Sequence, residues 1–426
     1  MSSKSPRRYF DNAATSFPKP TAVAAAMVRM LTEVGGPGRG GYAEAREAGR
    51  VIWTCRDRIS RLVNLGKPEN VVFTHNTTDA LNLGIKGVLA HARSVAGPAS
   101  RLHVVTTHME HNSVLRPMNA LLEVDHLIEW DRVPADPASG LVDPDDVRRA
   151  IQPGRTVLVC INHASNVTGT VQNLEAIGRV CSEFGAGTGR GEAAAGLLLL
   201  VDGAQSLGHV PVDMQAMRID LLAFPGHKGL LGPTGTGGLC IRPGAERRLG
   251  TIREGGTGSV SEQETHPTMM PEKFEAGSHN SVGIAGLGEG VGWLLERGID
   301  QVRAHEVRLM RLILDRLETA EFAGLRLLGP REIGRRVGVF SFVHESIEPA
   351  ELSAILESAF GILSRAGLHC APLVHGMLGT VPPTGKGATR LSLGPFLTET
   401  DVAAAMEALA EVCREHRDLV AGAVSK

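Results

Sequence analysis

Aromatic residues are scarce in this 426-residue chain, at 4 %, with two tyrosines and three tryptophans. That leaves too few rings for the stacking surfaces that hold single-stranded nucleic acid. A formal charge of −2, with no long basic block, removes the electrostatic footprint of a general nucleic-acid binder. No apolar run is long enough to cross a bilayer. Residues 1–10, with Ser2, Lys4, Arg7 and Arg8, are too polar to read as a signal peptide. Six cysteines (Cys55, Cys160, Cys181, Cys240, Cys370 and Cys413) lack paired spacing, so no disulfide framework is expected and a reducing, cytoplasmic setting is. With no CxxC or HxxxH spacing, no metal site is expected either.

What is present is an alternation of strand-like and helix-like segments, the pattern of an α/β fold built on a mostly parallel sheet. Strands are expected at residues 70–74, 102–106, 156–162, 197–202, 221–224 and 237–242. The stretch 44–63 repeats Val51, Ile52, Cys55, Ile59 and Leu62 at helical spacing. Residues 254–283 read as crossing loops, and 284–317 as a long helix broken near Gly298. The remainder reads as a smaller α+β unit with strands at 325–328, 337–343, 361–364 and 388–393. Its helices are expected at 349–360 and 400–415, with Thr398 capping the second. The expected division is an N-terminal segment 1–20 packing on the small unit, a large domain 21–283 and a small domain 284–426. The glycine- and alanine-rich run 185–196 reads as a surface insertion.

The segment Gly226-His227-Lys228, followed by glycines to Gly238, places an amine after a buried strand where the backbone can approach a ligand closely. Upstream, the run Leu197–Val201 delivers Asp202 at a strand's carboxyl end, where ligands bind in open α/β sheets. A lysine and an acid so placed are what pyridoxal phosphate requires of a protein. The helix opening Asn76-Thr77-Thr78 offers free amides and hydroxyls to a phosphate, although such residues are more commonly plain helix caps. His111, after the strand at 102–106, is placed to cover the ring and move a proton. Gln205 is placed for the ring's phenolic oxygen.

In chain order, Asp11–Ser16, Glu110-His111, Ser165–Gly169, Val201–Gln205, Gly226–Lys228, Phe274–Asn280, Arg365–Ala371 and Thr389–Ser392 closely resemble the motifs of class V aminotransferase-fold enzymes. Within these, the set resembles the cysteine desulfurases and selenocysteine lyases, from about Tyr9 to about Glu415. The resemblance implies the fold type I architecture of PLP-dependent transferases, a large mostly parallel-sheet domain with a smaller α+β C-terminal domain. It makes Lys228 the Schiff-base lysine, His111 the ring-stacking histidine, and Asp202 and Gln205 the ring-nitrogen and phenolic-oxygen partners. Thr77, Thr78 and His227 match phosphate ligands, and Ser278 matches the hydroxyl that reaches the phosphate of a neighbouring subunit in the related dimers. Asn166 and Arg390 match the groups that hold the substrate carboxylate, with Arg365 and Arg39 as further substrate-binding candidates. Pro225, His279, Leu397 and Tyr42 depart from the usual Ser/Thr, Pro, Asn and His of the pattern.

Cys370 separates the subfamilies. An aminotransferase needs no nucleophilic thiol, whereas a desulfurase must take sulfur from its substrate. Arg365 and His369 are placed to favour its thiolate, while Cys160, Cys181 and Cys240 read as buried structural cysteines. The expected activity is conversion of L-cysteine to L-alanine through a Cys370 persulfide. A homodimer and a sulfur-acceptor protein are the expected partners, with no nucleic acid and no membrane. Selenocysteine lyase, an aminotransferase or racemase reaction, and a non-catalytic PLP-binding scaffold are the competing readings.

Overall fold

The computed structural model describes residues 6–37, 40–97, 100–125, 128–185, 196–382 and 385–424. A short strand β1 (Arg8–Tyr9) and helices α1 (Thr21–Arg29) and α2 (Ala43–Leu62) precede the main body. There, elements alternate as β2 (Val71–Thr74), α3 (Thr77–Ala96), β3 (Leu102–Thr107), α4 (Asn112–Asp125), β4 (Ile128–Val133) and α5 (Pro144–Ala150). They continue as β5 (Thr156–Asn162), α6 (Leu174–Gly185), β6 (Leu198–Asp202), β7 (Leu221–Pro225) and β8 (Gly237–Ile241). The strands form one sheet in the order β2-β8-β7-β6-β5-β3-β4, in which β8 alone runs against its neighbours.

Composition explains the layering. β5 and β6 are apolar almost throughout and buried at every position, as strands covered on both faces must be. Each fully buried Leu, Ile or Val there stabilises the fold by roughly 1.5–3 kcal/mol relative to exposure. β4, at the sheet edge, reads Ile-Glu-Trp-Asp-Arg-Val and leaves its middle residues accessible, so its sequence gives little strand signal. Because all strands but β8 point the same way, the turns after β2, β3, β5, β6 and β7 gather at one edge of the sheet.

The chain continues through α7 (Ser281–Arg297) and α8 (Ile299–Arg316), separated at Gly298, whose φ of 80° lies in the region that suits glycine. β9 (Leu325–Leu328), β10 (Val339–His344), α9 (Pro349–Phe360), β11 (Ile362–Leu363), β12 (Arg365–Gly367), α10 (Pro372–Met377), β13 (Ala388–Ser392) and α11 (Glu399–Val424) complete it. A four-stranded sheet runs β12-β13-β10-β9, and β11 pairs instead with β1 near the start of the chain. The single strand expected at 361–364 is therefore two short ones, because the chain leaves one sheet for another at Ser364. The helix expected at 400–415 starts at Glu399 and runs on to Val424. Thr398 and Asp401 exchange side-chain-to-backbone hydrogen bonds in a capping box. Of the insertion at 185–196, residues 186–195 lie outside the described residues.

Candidate active site

Strand-end turns converge on one pocket lined by Asn76, Thr77, Thr78, His111, Ser113, Asn162, Asn166, Asp202, Ala204, Gln205, Pro225, His227 and Lys228. Thr77, Thr78, His111, Asn166, Asp202, Gln205, His227 and Lys228 were all expected there from the sequence, and the fold brings them together. Asn162 and Ser113 were not assigned a role, and Asn76 only one within the helix opening.

One of the three residues of that helix opening is a plain cap. Asn76 caps α3, its Oδ1 accepting the Asp79 N–H at 3.0 Å. That leaves the amides of Thr77 and Thr78, two residues that line the pocket, at the positive end of a 20-residue helix. The Thr78 hydroxyl lies 2.7 Å from the Ser113 hydroxyl. Pro225 ends β7 in the pocket wall and brings no hydroxyl.

His111 opens α4. Its Nδ1 accepts the Ser113 backbone N–H at 3.1 Å, which leaves the ring proton on Nε2. Burial, followed by the charges of Lys228, Arg116, Arg365 and Arg390, pushes its pKa down to about 4, so the ring is neutral at pH 7. His227 is held neutral in the same way, at about 4, by burial and then Lys228 and Lys19. Its buried Nδ1 has no partner among the described residues.

Lys228 is half-buried, and desolvation lowers its amine to about 8; Arg390 and Arg365 lower it too, while Asp202 and Cys370 oppose the shift. The glycines beside it are sterically required: a Cβ at Gly226 would collide with Thr236 Oγ1, and one at Gly229 with the Leu207 carbonyl. Asp202 is buried, and burial raises its carboxyl above the usual range against the Ala204 N–H and Lys228. Its Oδ1 accepts that N–H at 3.0 Å. Gln205 lines the pocket, yet its Nε2 donates to the Ala13 carbonyl at 2.9 Å, so part of its donor capacity is spent on the N-terminal segment.

That segment carries residues whose role the sequence did not disclose. The His227 carbonyl accepts from the Ser16 N–H at 2.9 Å and the Thr15 hydroxyl at 3.0 Å. Lys19 Nζ, 2.9 Å from Ser16 Oγ, lies 3.4 Å from the same carbonyl. The turn that presents Lys228 is thus clamped from outside the sheet. Asp11 of the same segment pairs with Arg390, Nη2 to Oδ1 at 2.8 Å.

Arg390 is almost fully buried on β13, and its Nη1 donates to the Asn166 carbonyl at 3.1 Å. Arg365 sits opposite it in the β12–β13 register, on the same face of the sheet, and is exposed. The Asn166 amide donates to the His369 carbonyl at 2.6 Å, and the Asn112 N–H donates to the Cys370 carbonyl at 2.8 Å. His369 and Cys370 both have left-handed backbones, φ 49° and 59°, an arrangement non-glycine residues hold only when their surroundings enforce it. Cys370 is exposed, whereas Cys55, Cys160, Cys181, Cys240 and Cys413 are buried and pushed up by burial.

One expectation changes. His369 cannot supply a positive charge to the thiol, because burial, with Arg390, His375 and Arg365, pushes it down to about 2. Its Nε2 also lies 3.1 Å from the Ala388 carbonyl, which takes its N–H. Ser278, expected to serve the phosphate of a neighbouring subunit, lines a separate pocket of its own chain with His75, Thr236, His279 and Asn280. Arg39 lies outside the described residues.

The donor set fits pyridoxal phosphate. Helix-end amides and hydroxyls suit the phosphate, the buried Asp202 suits a protonated ring nitrogen, and Lys228 is an amine close to its neutral form. Among the described residues no His/Cys/Asp/Glu cluster has the form of a metal site, and no helix is long and apolar enough to cross a membrane.

Known proteins share the family and the fold. The model of the family described as aminotransferase class-V matches residues 8–404. A protein named probable cysteine desulfurase from Methanothermobacter thermautotrophicus is 33 % identical over 95 % of this chain and 94 % of its own length. The apo structure of a cysteine desulfurase from Thermococcus onnurineus superposes with a TM-score of 0.84, at 29 % identity, covering 96 % of this chain and 94 % of its own. The Escherichia coli cysteine desulfurase CsdA, in an S-sulfonic acid form, gives a TM-score of 0.78 at 26 % identity, over 95 % and 94 %.

Proposed function

The chain belongs to the class V aminotransferase family, whose members are in general dependent on pyridoxal phosphate, and from that premise we propose that it is a cysteine desulfurase. In this reading it removes sulfur from L-cysteine, releases L-alanine and carries the sulfur as a persulfide on Cys370. One observation carries the reading. The fold's exposed cysteine is tied by its own carbonyl to the residue after His111, and its neighbour's carbonyl is tied to Asn166 in the pocket that holds Lys228.

When bound, the cofactor supplies an electron sink for the substrate carbon. Lys228, with its amine lowered to about 8, takes the Cα proton as a base matched to neutral pH. Asp202 holds the charge of the ring nitrogen in a dry setting, and the α3 amides with Thr77 and Thr78 hold the phosphate. Arg390, already oriented by Asp11 and the Asn166 carbonyl, receives the substrate carboxylate. His111 keeps its proton on Nε2 as a donor toward the reacting sulfur or carbon. Cys370 Sγ forms the S–S bond as the substrate C–S bond breaks. The bonding pair stays on the substrate carbon, which is protonated and leaves as alanine.

We place the enzyme as a homodimer in a reducing cytoplasm, with the neighbouring subunit supplying Ser278 to the phosphate and a partner thiol, on a protein or a small molecule, collecting the sulfur. The test is alanine formation from L-cysteine with a thiol reductant present. Wild type should turn over repeatedly and Cys370→Ala should not. Unchanged turnover by Cys370→Ala would replace the reading with another class V reaction.

A further inference from the structure

Two bare oxygens lie beneath the pocket floor, on residues already in contact. Glu110 is fully buried, and its Oε1 accepts the Thr107 hydroxyl at 2.7 Å and the Asn162 backbone N–H at 3.1 Å. Among the described residues its Oε2 is buried without a partner, and so is Oδ1 of Asn162. Asn162 ends β5 in register with Asp202 at the end of β6, and both line the pocket. Two acceptor oxygens left dry and unpaired are rare in folded proteins. A proton shared between them would satisfy both. Placed on Oε2, it makes Glu110 a donor, and Asn162 Oδ1 is the bare acceptor on the residue whose N–H already anchors that carboxyl group.

We propose that Glu110 is held as a neutral acid whose Oε2–H locks the Asn162 carboxamide, so that Asn162 presents an N–H beside Asp202 to an anionic oxygen of the bound cofactor or substrate. The proposal rests on the reading of this pocket as the cofactor site. Glu110 acts through Asn162 and is a positioning residue.

The surroundings favour the neutral form. Burial raises the Glu110 carboxyl to about 8, and Asp202 adds to the rise; the Thr107 and Asn162 donors oppose it. The ionisable groups facing it are Asp202 from β6 and Cys160 from β5, whose thiol is itself pushed up by burial, with neutral His111 next in the chain. A neutral Glu110 leaves Asp202 as the single anion beneath the ring site. An ionised Glu110 would place a second negative charge beside it and would turn the Asn162 amide, drawing its N–H away from the pocket.

The sign of the pH effect follows. Between the ordinary value of 4.5 and about 8, the folded protein holds a proton that the unfolded chain has released. Glu110's contribution to stability is therefore complete below about pH 4.5 and is lost as pH rises to about 8, whereas glutamine titrates nothing.

The decisive experiment uses the apoprotein and then its complex with pyridoxal phosphate. In the infrared spectrum at pH 7, wild type should show a protonated-carboxyl band that disappears near pH 8 and is absent in Glu110→Gln. In thermal unfolding, wild type should lose stability relative to Glu110→Gln from about pH 5 to about pH 8 and hold a constant difference above. Pyridoxal phosphate should bind Glu110→Gln within about twofold of wild type, since the carboxamide reproduces one donor and one acceptor. Asn162→Ala should weaken pyridoxal phosphate binding, or raise the KM for L-cysteine, by about tenfold, as expected for one lost hydrogen bond to a charged group. The first result would assign the N–H to the cofactor and the second to the substrate. No acid band at pH 7, a pH-independent stability difference, or an Asn162→Ala variant unchanged in both binding measurements would overturn the proposal. Should the pocket fail to take up pyridoxal phosphate at all, the proposed function falls while the acid band still reports on Glu110.

Discussion

The two halves of the candidate reaction are held in different ways. Lys228 and His111 stand in the turns after β7 and β3 of a seven-stranded sheet and Asp202 at the end of its β6, where burial sets their protonation. Cys370 stands three residues beyond a three-residue strand, in a left-handed turn, exposed, and fixed by carbonyl hydrogen bonds from Asn112 and Asn166. The lysine half is a rigid, desolvated scaffold and the cysteine half is a tethered tip. The contrast is what the proposed chemistry asks for. Proton abstraction needs a tuned amine out of water, whereas sulfur must be handed to a thiol that can reach an acceptor.

The comparison breaks hardest at Lys228. Lys228→Ala should cut alanine formation by more than about 10³-fold, because a positioned base alone contributes roughly 10²–10⁴-fold. Cys370 in that variant should stay free of sulfur by mass spectrometry. A Lys228→Met apoprotein should be more stable than wild type below about pH 8, where the buried amine must carry its charge in the folded state. The advantage should shrink as pH rises from about 8 toward 10.5, where the unfolded chain binds the proton more readily than the folded one. Thermal unfolding at several pH values would show it, and a constant difference would mean the amine is not desolvated.

Arg390→Lys comes next. Losing the planar fork that Asp11 and Asn166 orient should raise the KM for L-cysteine about tenfold or more, with a smaller change in kcat. Asn166→Ala sharpens the comparison from the other side. It removes the bond to the His369 carbonyl and should slow persulfide formation about tenfold, the effect of one hydrogen bond. Amide hydrogen exchange at residues 368–371 should accelerate while the α3 amides stay protected. Equal loosening of both regions would show that they form one cooperative unit. The smallest effect is expected at Ser16→Ala, which removes one of several donors clamping the His227 turn. Unfolding should shift by a few degrees at most.

The lysine half was legible in the sequence because buried parallel strands are continuous apolar runs, and each announces the polar residue at its end. Asp202 after Leu197–Val201 and Lys228 after Leu221–Phe224 are of this kind. The cysteine half was legible only as a motif. Nothing local in residues 361–371 tells that the chain changes sheets at Ser364, since that depends on β1 arriving from the other end of the chain. Nor could the sequence show that His369 is neutral, because its burial comes from residues distant in the chain. Asn162 was given no role and Glu110 only a place in a motif, for a related reason. Their significance lies in unpaired oxygens, which only three-dimensional placement exposes. The edge strand β4 hid behind its charges, and the clamp formed by Thr15, Ser16 and Lys19 behind a separation of more than two hundred residues.

The central claim is that a tuned lysine and a tethered cysteine act in sequence on one substrate. It is tested most directly by incubating the holoenzyme with L-cysteine, without reductant, and sequencing its peptides by mass spectrometry. The account predicts one added sulfur atom on the peptide carrying Cys370, in step with the first equivalent of alanine, and none on the peptides of the five buried cysteines. Alanine formed with Cys370 unmodified would contradict it.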